Sequence, residues 1–371
     1  MPGLGDTLTN FSRYRKQFEA MGASAAGSAG GSENLVDTVE FGTNPGNLLM
    51  RSFVPDFLPP SAPLVVVLHG CTQTAASYDH GTGWTTLAAK FGFAVLLPEQ
   101  QRANNPNLCF NWFLPEDTRR DQGEMLSIRQ MIDRMILDHG LDPARVFVTG
   151  LSAGGAMTSS LLACYPEIFA AGAIIAGLPY GCATNTQEAL ACMFQGGSRT
   201  RHIWGDMVRE ASPHAGPWPR VSVWQGSADT TVKPSNAAEI VKQWLDLHGC
   251  PAEPSSKNTV SGVPHRAWLR DGEPVVEAYS IAGMGHGTPI DPAAADPDDR
   301  CGVPGPHILD AGISSTAVIA RSWGLLEHRI AEAPSEQPAA SRSKTHPALK
   351  RFDVGGVIEK ALRAAGLMGR D

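Results

Sequence analysis

The chain has 371 residues, 42% hydrophobic and 18% charged, which is the balance of a globular protein with a buried core and excludes a disordered or fibrous chain. With 30 Lys and Arg against 37 Asp and Glu the formal charge is -7, so no basic field draws the molecule onto nucleic acid, and nucleic acid is excluded as a partner. No apolar run approaches the roughly 18 residues of a membrane span.

At the N-terminus, Arg13, Arg15 and Lys16 interrupt what would have to be the apolar stretch of a secretory signal. This reads as a cytoplasmic chain or as one whose leader has been removed. Residues 1–35 form an extension, with Leu8, Phe11, Tyr14 and Phe18 at loosely helical spacing and an Ala, Gly and Ser linker from Ala23 to Ser32. Such a linker buries too little apolar surface to offset its ordering entropy. Residues 36–330 then carry short apolar runs bounded by turn residues: Leu48 to Phe53, Leu64 to Leu68, Phe93 to Leu97, Val146 to Val148, Ala173 to Ile175, Val221 to Trp224 and Val275 to Ile281. These are predicted strands. Between them lie helical patterns, as in Met125, Ile128, Met131, Ile132, Met135 and Ile136, which fall on one stripe. Apolar strands alternating with amphipathic helices predict an α/β fold with a mainly parallel, doubly wound sheet.

Two stretches break this rhythm. Residues 179–219, rich in Gly, Arg and polar side chains, are too long for an ordinary connection and are expected to form a lid-like insertion over one end of the sheet. Residues 331–371 read as an Ala, Pro and Ser linker followed by a short helix, with Val354, Val357, Ile358, Ala361, Leu362 and Ala365 opposite Lys350, Arg351, Lys360 and Arg363. A helix of this kind docks on its own domain or adsorbs to an anionic or apolar surface. The seven cysteines, Cys71, Cys109, Cys164, Cys182, Cys192, Cys250 and Cys301, are an odd count without a CxxC pair. They read mostly as buried thiols, with Cys182 and Cys192 the nearest pair in sequence should a disulfide form. No metal site is expected.

The sharpest local signal is Val146 to Gly155, which reads strand, then Gly150-Leu151-Ser152-Ala153-Gly154, then a helical run from Ala156 to Tyr165. The five letters G-x-S-x-G recur by chance about 0.3 times in such a chain, so the strand and helix around them carry the weight. Gly150 and Gly154 let a tight turn form around the serine, and the helix N-terminus aims its free amides at a developing oxyanion. A serine hydroxyl needs a base and an orienting acid. Both have candidates downstream, each in a loop after a strand: Asp229 in Gln225 to Pro234, and His286 in Tyr279 to Thr288. Taken singly, a loop Asp is usually a turn residue and a loop His a structural one. Together, Ser152, Asp229 and His286 occur in the chain order that this architecture permits. Asp206 is the fallback acid, and His265 and His307 are the fallback bases.

An oxyanion hole takes one backbone N–H from Ala153 and one from the loop after an earlier strand, for which Cys71, in His69-Gly70-Cys71-Thr72-Gln73, is the candidate. The loop Asn104 to Phe113 opens at the same sheet edge. Trp112 there is a stacking platform or a core residue, and Asn111 and Gln73 are candidate substrate contacts.

The segments LVVVLHGCTQTA, LLPEQQ, CFNWF, GLSAGGAMT, WQGSADTTVKP and GMGHGTP resemble the esterase family of polyhydroxybutyrate depolymerases, within the wider α/β-hydrolases and beside feruloyl and acetylxylan esterases. The match runs from about Val36 to about Leu326. The resemblance implies hydrolysis of short-chain polyhydroxyalkanoate or related esters without a cofactor. It places Ser152, Asp229 and His286 on the catalytic motifs, and Cys71 and Ala153 on the oxyanion positions. Many members of that family are extracellular and carry leaders or substrate-binding domains that this sequence does not display. The expected partner is therefore an ester or polyester, as polymer or oligomer. A cell-wall ester is the enzymatic alternative, and a protein coating a granule or membrane through its terminal helices is the non-catalytic one.

Overall fold

The apolar runs that punctuate the sequence become strands because their β-branched residues can be buried on both faces at once. The computed structural model describes residues 34–330; the N-terminal stretch around Phe18 and the C-terminal helix around Leu362 lie outside the described residues. Ten strands form one sheet: β1 Val36–Thr38, β2 Leu49–Phe53, β3 Leu64–Leu68, β4 Ala94–Glu99, β5 Val146–Leu151, β6 Ala171–Ile175, β7 Arg220–Gly226, β8 Ser256–Val260, β9 Val263–Arg270 and β10 Glu273–Ile281. Their spatial order is β1-β2-β4-β3-β5-β6-β7-β10-β9-β8. From β4 through β10 every neighbour is parallel, and the hairpins β1-β2 and β8-β9 extend the two edges antiparallel. A separate parallel pair, β11 Thr288–Ile290 and β12 Ile308–Asp310, follows the sheet.

Two helical layers cover the sheet, and the alternation of each strand shows which side chain serves which layer. Leu64, Val66 and Leu68 enter one core with Val146, Val148, Met125, Ile128, Met131 and Ile132, while Val65 and Val67 enter the other with Phe147, Ala173, Trp84 and Trp323. The first layer is built by α4 Gly123–His139, α5 Ala153–Cys164 and α8 Ser235–Leu247. The second is built by α1 Ala75–Thr82, α2 Trp84–Phe91 and α9 Ser315–Ser322. Each fully buried Val or Leu contributes about 1.5–3 kcal/mol relative to exposure, which is why β3 and β5, buried at every residue, anchor the sheet. The α4 stripe predicted from Met125 to Ile136 is buried up to Met135, with Ile136 half-buried, and the helix stops at Gly140, whose φ of 60° closes the last turn.

Three differences from the sequence reading have local causes. Helix α5 begins at Ala153, immediately after Ser152, and all twelve of its residues are buried, because it packs against the central strands β3, β5 and β6. Residues 179–219 hold two helices, α6 Thr186–Gln195 and α7 Arg201–Arg209, and a short helix, α3 Pro115–Thr118, precedes α4 in the chain. Cys182 and Cys192, the pair nearest in sequence, stay free thiols; the Cys192 thiol donates to the Cys182 carbonyl at 2.9 Å. The disulfide joins Cys71 to Cys109 instead. Among the described residues no helix is long and apolar enough to cross a membrane.

Candidate active site

Parallel strands present their carboxyl ends at one edge, and the loops that follow them converge there. Ser152 follows β5, Asp229 follows β7, His286 follows β10, and the His69 to Gln73 turn follows β3. Ser152 sits at φ 57°, ψ -115°, a sharp turn that raises its side chain above the sheet edge. The turn closes because its flanking positions lack side chains. A Cβ on Gly154 would lie 2.3 Å from the Leu68 carbonyl oxygen, and one on Gly150 would lie 2.5 Å from the Gly154 backbone. The Ser152 N–H donates to the Ile175 carbonyl at 2.9 Å, which fixes the turn to β6.

Three polar side chains separated widely in sequence form one chain of hydrogen bonds. The Ser152 hydroxyl is 2.9 Å from His286 Nε2, and His286 Nδ1 is 2.7 Å from Asp229 Oδ2. An ionised carboxylate only accepts, so Nδ1 carries the proton and Nε2 accepts from the serine hydroxyl. Asp229 is buried, which by itself raises its pKa. The opposing hydrogen bond and charge of His286, with the N–H groups of Val232 and Thr231, hold it below the usual carboxylate range. Gln225 Nε2 donates to the same carboxylate at 3.0 Å. The sequence reading passed over this residue, although it lies four positions before the acid in the same motif.

Beside Ser152 opens an apolar cavity of about 420 Å³, walled by Cys71, Ala153, Trp112, Leu178, Leu190 and Met193 among others. Cys71 and Ala153, the oxyanion candidates, therefore share this cavity with the serine hydroxyl. Trp112 is there too, only 8% exposed, and meets Phe113 edge to face at 5.4 Å, so it is both packed and lining. Leu190 and Met193 come from α6 and went unnoticed in the sequence, where the i, i+3 spacing of apolar residues inside the polar insertion was the available signal.

Two candidate substrate contacts lie elsewhere. Asn111 does not line the cavity. Its Nδ2 donates to Asp117, its Oδ1 accepts from Asn105 and its N–H donates to Glu124, so its amide is spent holding the loop. Gln73 accepts from the Gly70 N–H at 2.9 Å and lines a neighbouring cleft instead. Glu124 anchors the polar network behind the disulfide. Burial and then Asp117 push its carboxyl well up, against hydrogen bonds from Asn111 and Gln100. Gln100 in turn donates its N–H to His69 Nε2. Of the fallback residues, Asp206 pairs with Arg209 at 2.7 Å, and His265 on β9 lies between Asn258 and Glu277. His307 packs against His286, with ring centroids 5.7 Å apart and Nδ1 3.2 Å from the His286 carbonyl.

A serine on a tight strand-to-helix turn over a mainly parallel sheet, with histidine and aspartate brought to it from later strands, defines an α/β-hydrolase. A family model described as esterase PHB depolymerase matches residues 54–258, and the chain belongs to that family. It is 48% identical to poly(3-hydroxyalkanoate) depolymerase C of Paucimonas lemoignei over 294 residues, which covers 79% of this chain and 70% of that one. It is 34% identical to feruloyl esterase B of Thermothelomyces thermophilus, covering 68% and 88% of the two chains. Among solved structures, the acetyl xylan esterase from Aspergillus awamori superposes with a TM-score of 0.64 at 28% identity, covering 68% of this chain and 93% of that one. The protein is an enzyme that hydrolyses carboxylic ester bonds.

Proposed function

We propose that this esterase cleaves short-chain polyhydroxyalkanoate esters, as polymer or oligomer, through an acyl-enzyme on Ser152. The observation that carries the reading is the hydrogen-bonded chain Asp229, His286, Ser152 ending at the mouth of an apolar cavity. His286 Nε2 takes the hydroxyl proton as Ser152 Oγ attacks the ester carbonyl, and Asp229 holds the tautomer and stabilises the imidazolium. The carbonyl oxygen, now negative, accepts from the Ala153 and Cys71 N–H groups, each typically worth about 3 kcal/mol in the transition state. The tetrahedral centre collapses, and the alcohol leaves with the proton from His286. Water then gives a proton to His286, attacks the acyl-enzyme and frees the acid, and Ser152 regains its proton.

The acyl chain lies in the cavity between Trp112 and α6, and the insertion of residues 179–219 acts as its lid. Similarity to a poly(3-hydroxyalkanoate) depolymerase over most of the chain supports the polyester over a cell-wall ester. The test compares wild type and Ser152→Ala on p-nitrophenyl esters from acetate to octanoate, polyhydroxybutyrate film and methyl ferulate. Cleavage of short esters and film, lost by several orders of magnitude in the variant, is the expected result. Cleavage of ferulate without film would move the substrate to cell-wall esters, and equal rates in both proteins would remove Ser152 as nucleophile.

A further inference from the structure

Strand β7 carries a polar residue where its pattern calls for an apolar one. Val221 and Val223 enter the core with Ile240 and Trp244 of α8, and the alternation of a strand puts Gln225 on their face. It is buried, at 4% exposure. Its amide nitrogen meets three acceptors: Asp229 Oδ2 at 3.0 Å, the Val232 carbonyl at 3.2 Å and the Gly226 carbonyl at 3.4 Å. Three acceptors around one end of the amide settle which end is the NH2. The other end, Oε1, is buried and meets no donor among the described residues. A buried unpaired acceptor costs stability, so the side chain weakens the core at its oxygen and acts through its nitrogen.

The shortest contact of that nitrogen is with the carboxylate that holds His286. Asp229 Oδ1 accepts from the Thr231 and Val232 N–H groups at 2.8 and 2.9 Å, and Oδ2 accepts from His286 Nδ1 at 2.7 Å and from Gln225. The two backbone donors belong to the loop that carries Asp229 and move with it. Of the four donors only Gln225 stands on a strand of the sheet, and it ties down the oxygen that faces His286. Its bond to the Val232 carbonyl holds the same loop at a second point. We propose that Gln225 is a positioning residue for ester hydrolysis, fixing Asp229 Oδ2 in line with His286 Nδ1 and so keeping Nε2 aimed at Ser152. A carboxylate held at both oxygens resists rotation about its Cβ–Cγ bond while the imidazole gains and loses its charge in each turnover. The assignment rests on reading Asp229 as the orienting acid.

The test is a double-mutant cycle read on p-nitrophenyl acetate. Gln225→Met keeps the length and removes the donor, while Asp229→Ala removes the group on which the donor acts. Gln225→Met is expected to lower kcat by roughly tenfold or more with KM nearly unchanged, and to change kcat by less than about twofold when Asp229 is already alanine. Gln225→Glu supplies a second readout. Beside a buried carboxylate the introduced carboxyl stays protonated above its ordinary range, and it donates to Asp229 only in that form. The ratio of its kcat to that of wild type should therefore be near one at low pH and fall reversibly by about tenfold or more as pH rises, with the protein still folded by melting temperature. Equal losses from Gln225→Met in both backgrounds, a change in KM alone, or wild-type kcat would each overturn the positioning role and leave the triad reading standing. Should Gln225→Met fail to fold, a ratio for Gln225→Glu that does not vary with pH would overturn it in the same way. Wild-type kcat in Asp229→Ala would overturn the orienting acid and the role of Gln225 with it.

Discussion

Ser152 holds a left-handed φ that a residue with a side chain keeps only where its neighbours over-determine it. Those neighbours are glycines with backbone pressed against them, so the turn has no room to relax. Gly154→Ala must push the β3 carbonyl at Leu68 aside. It is expected to lower the unfolding free energy by about 2 kcal/mol or more, measured in urea, and to lower kcat with it. Asp229 presents the opposite case, a residue whose contacts are replaceable in shape but not in charge. Asp229→Asn keeps the volume yet favours the wrong imidazole tautomer, so kcat should fall about 10⁴-fold with KM nearly unchanged. A comparable loss in KM alone would mean that Asp229 shapes the pocket and does not orient His286.

At the scale of elements, the disulfide and helix α6 both contribute walls to the cavity. Cys71 and Cys109 are separated by 38 residues, and closing a loop of that length in the unfolded chain stabilises the fold by about 4 kcal/mol in the chain-entropy model. The bond also ties the Cys71 turn to the loop bearing Trp112. Reduction with dithiothreitol should therefore lower the melting temperature and reduce kcat more than it changes KM. Helix α6 forms the facing wall with Leu190 and Met193. Leu190→Trp should shorten the preferred acyl chain, with p-nitrophenyl octanoate losing roughly tenfold more kcat/KM than the acetate, since each excluded methylene costs about 1 kcal/mol. The sequence marks residues 179–219 as irregular, and the i, i+3 spacing of Leu190 and Met193 marks an apolar face on α6 but not which cavity it meets. That depends on the tertiary packing of α6.

For the whole molecule, buried histidines link stability to pH. His248 is buried at the end of α8 with Nε2 3.1 Å from the Pro219 carbonyl, and burial, outweighing that bond, pushes its pKa down to about 4. The unfolded chain binds this proton below about pH 6.5 and the folded one only near pH 4. The stability this group gives is thus complete above 6.5 and is lost as pH falls toward 4, by about 3 kcal/mol. Urea unfolding at pH 7 and pH 4 should show His248→Gln losing less stability over that interval than wild type, and equal losses would show that the imidazole is not the group titrating.

The sequence by itself determined the central parallel strands and most of the α4 stripe, and it singled out Ser152, Asp229 and His286 as candidates, because burial on both faces and a strand followed by a tight loop leave marks within a few neighbouring residues. Strands β8 and β9 left no such mark. Their exposed Ser-Lys-Asn-Thr stretch and alternating polar residues become strands only because β10 offers an edge to pair with. The tertiary structure alone decided which cysteine meets Cys71, that Asn111 supports a loop and Gln73 turns to a second cleft, and that α6 walls the cavity. It also decided that Ser152 and His286, 134 residues apart, come within 2.9 Å. These are through-space relations between segments whose separation in the chain is set by loops, and loop length carries no record of where the ends meet.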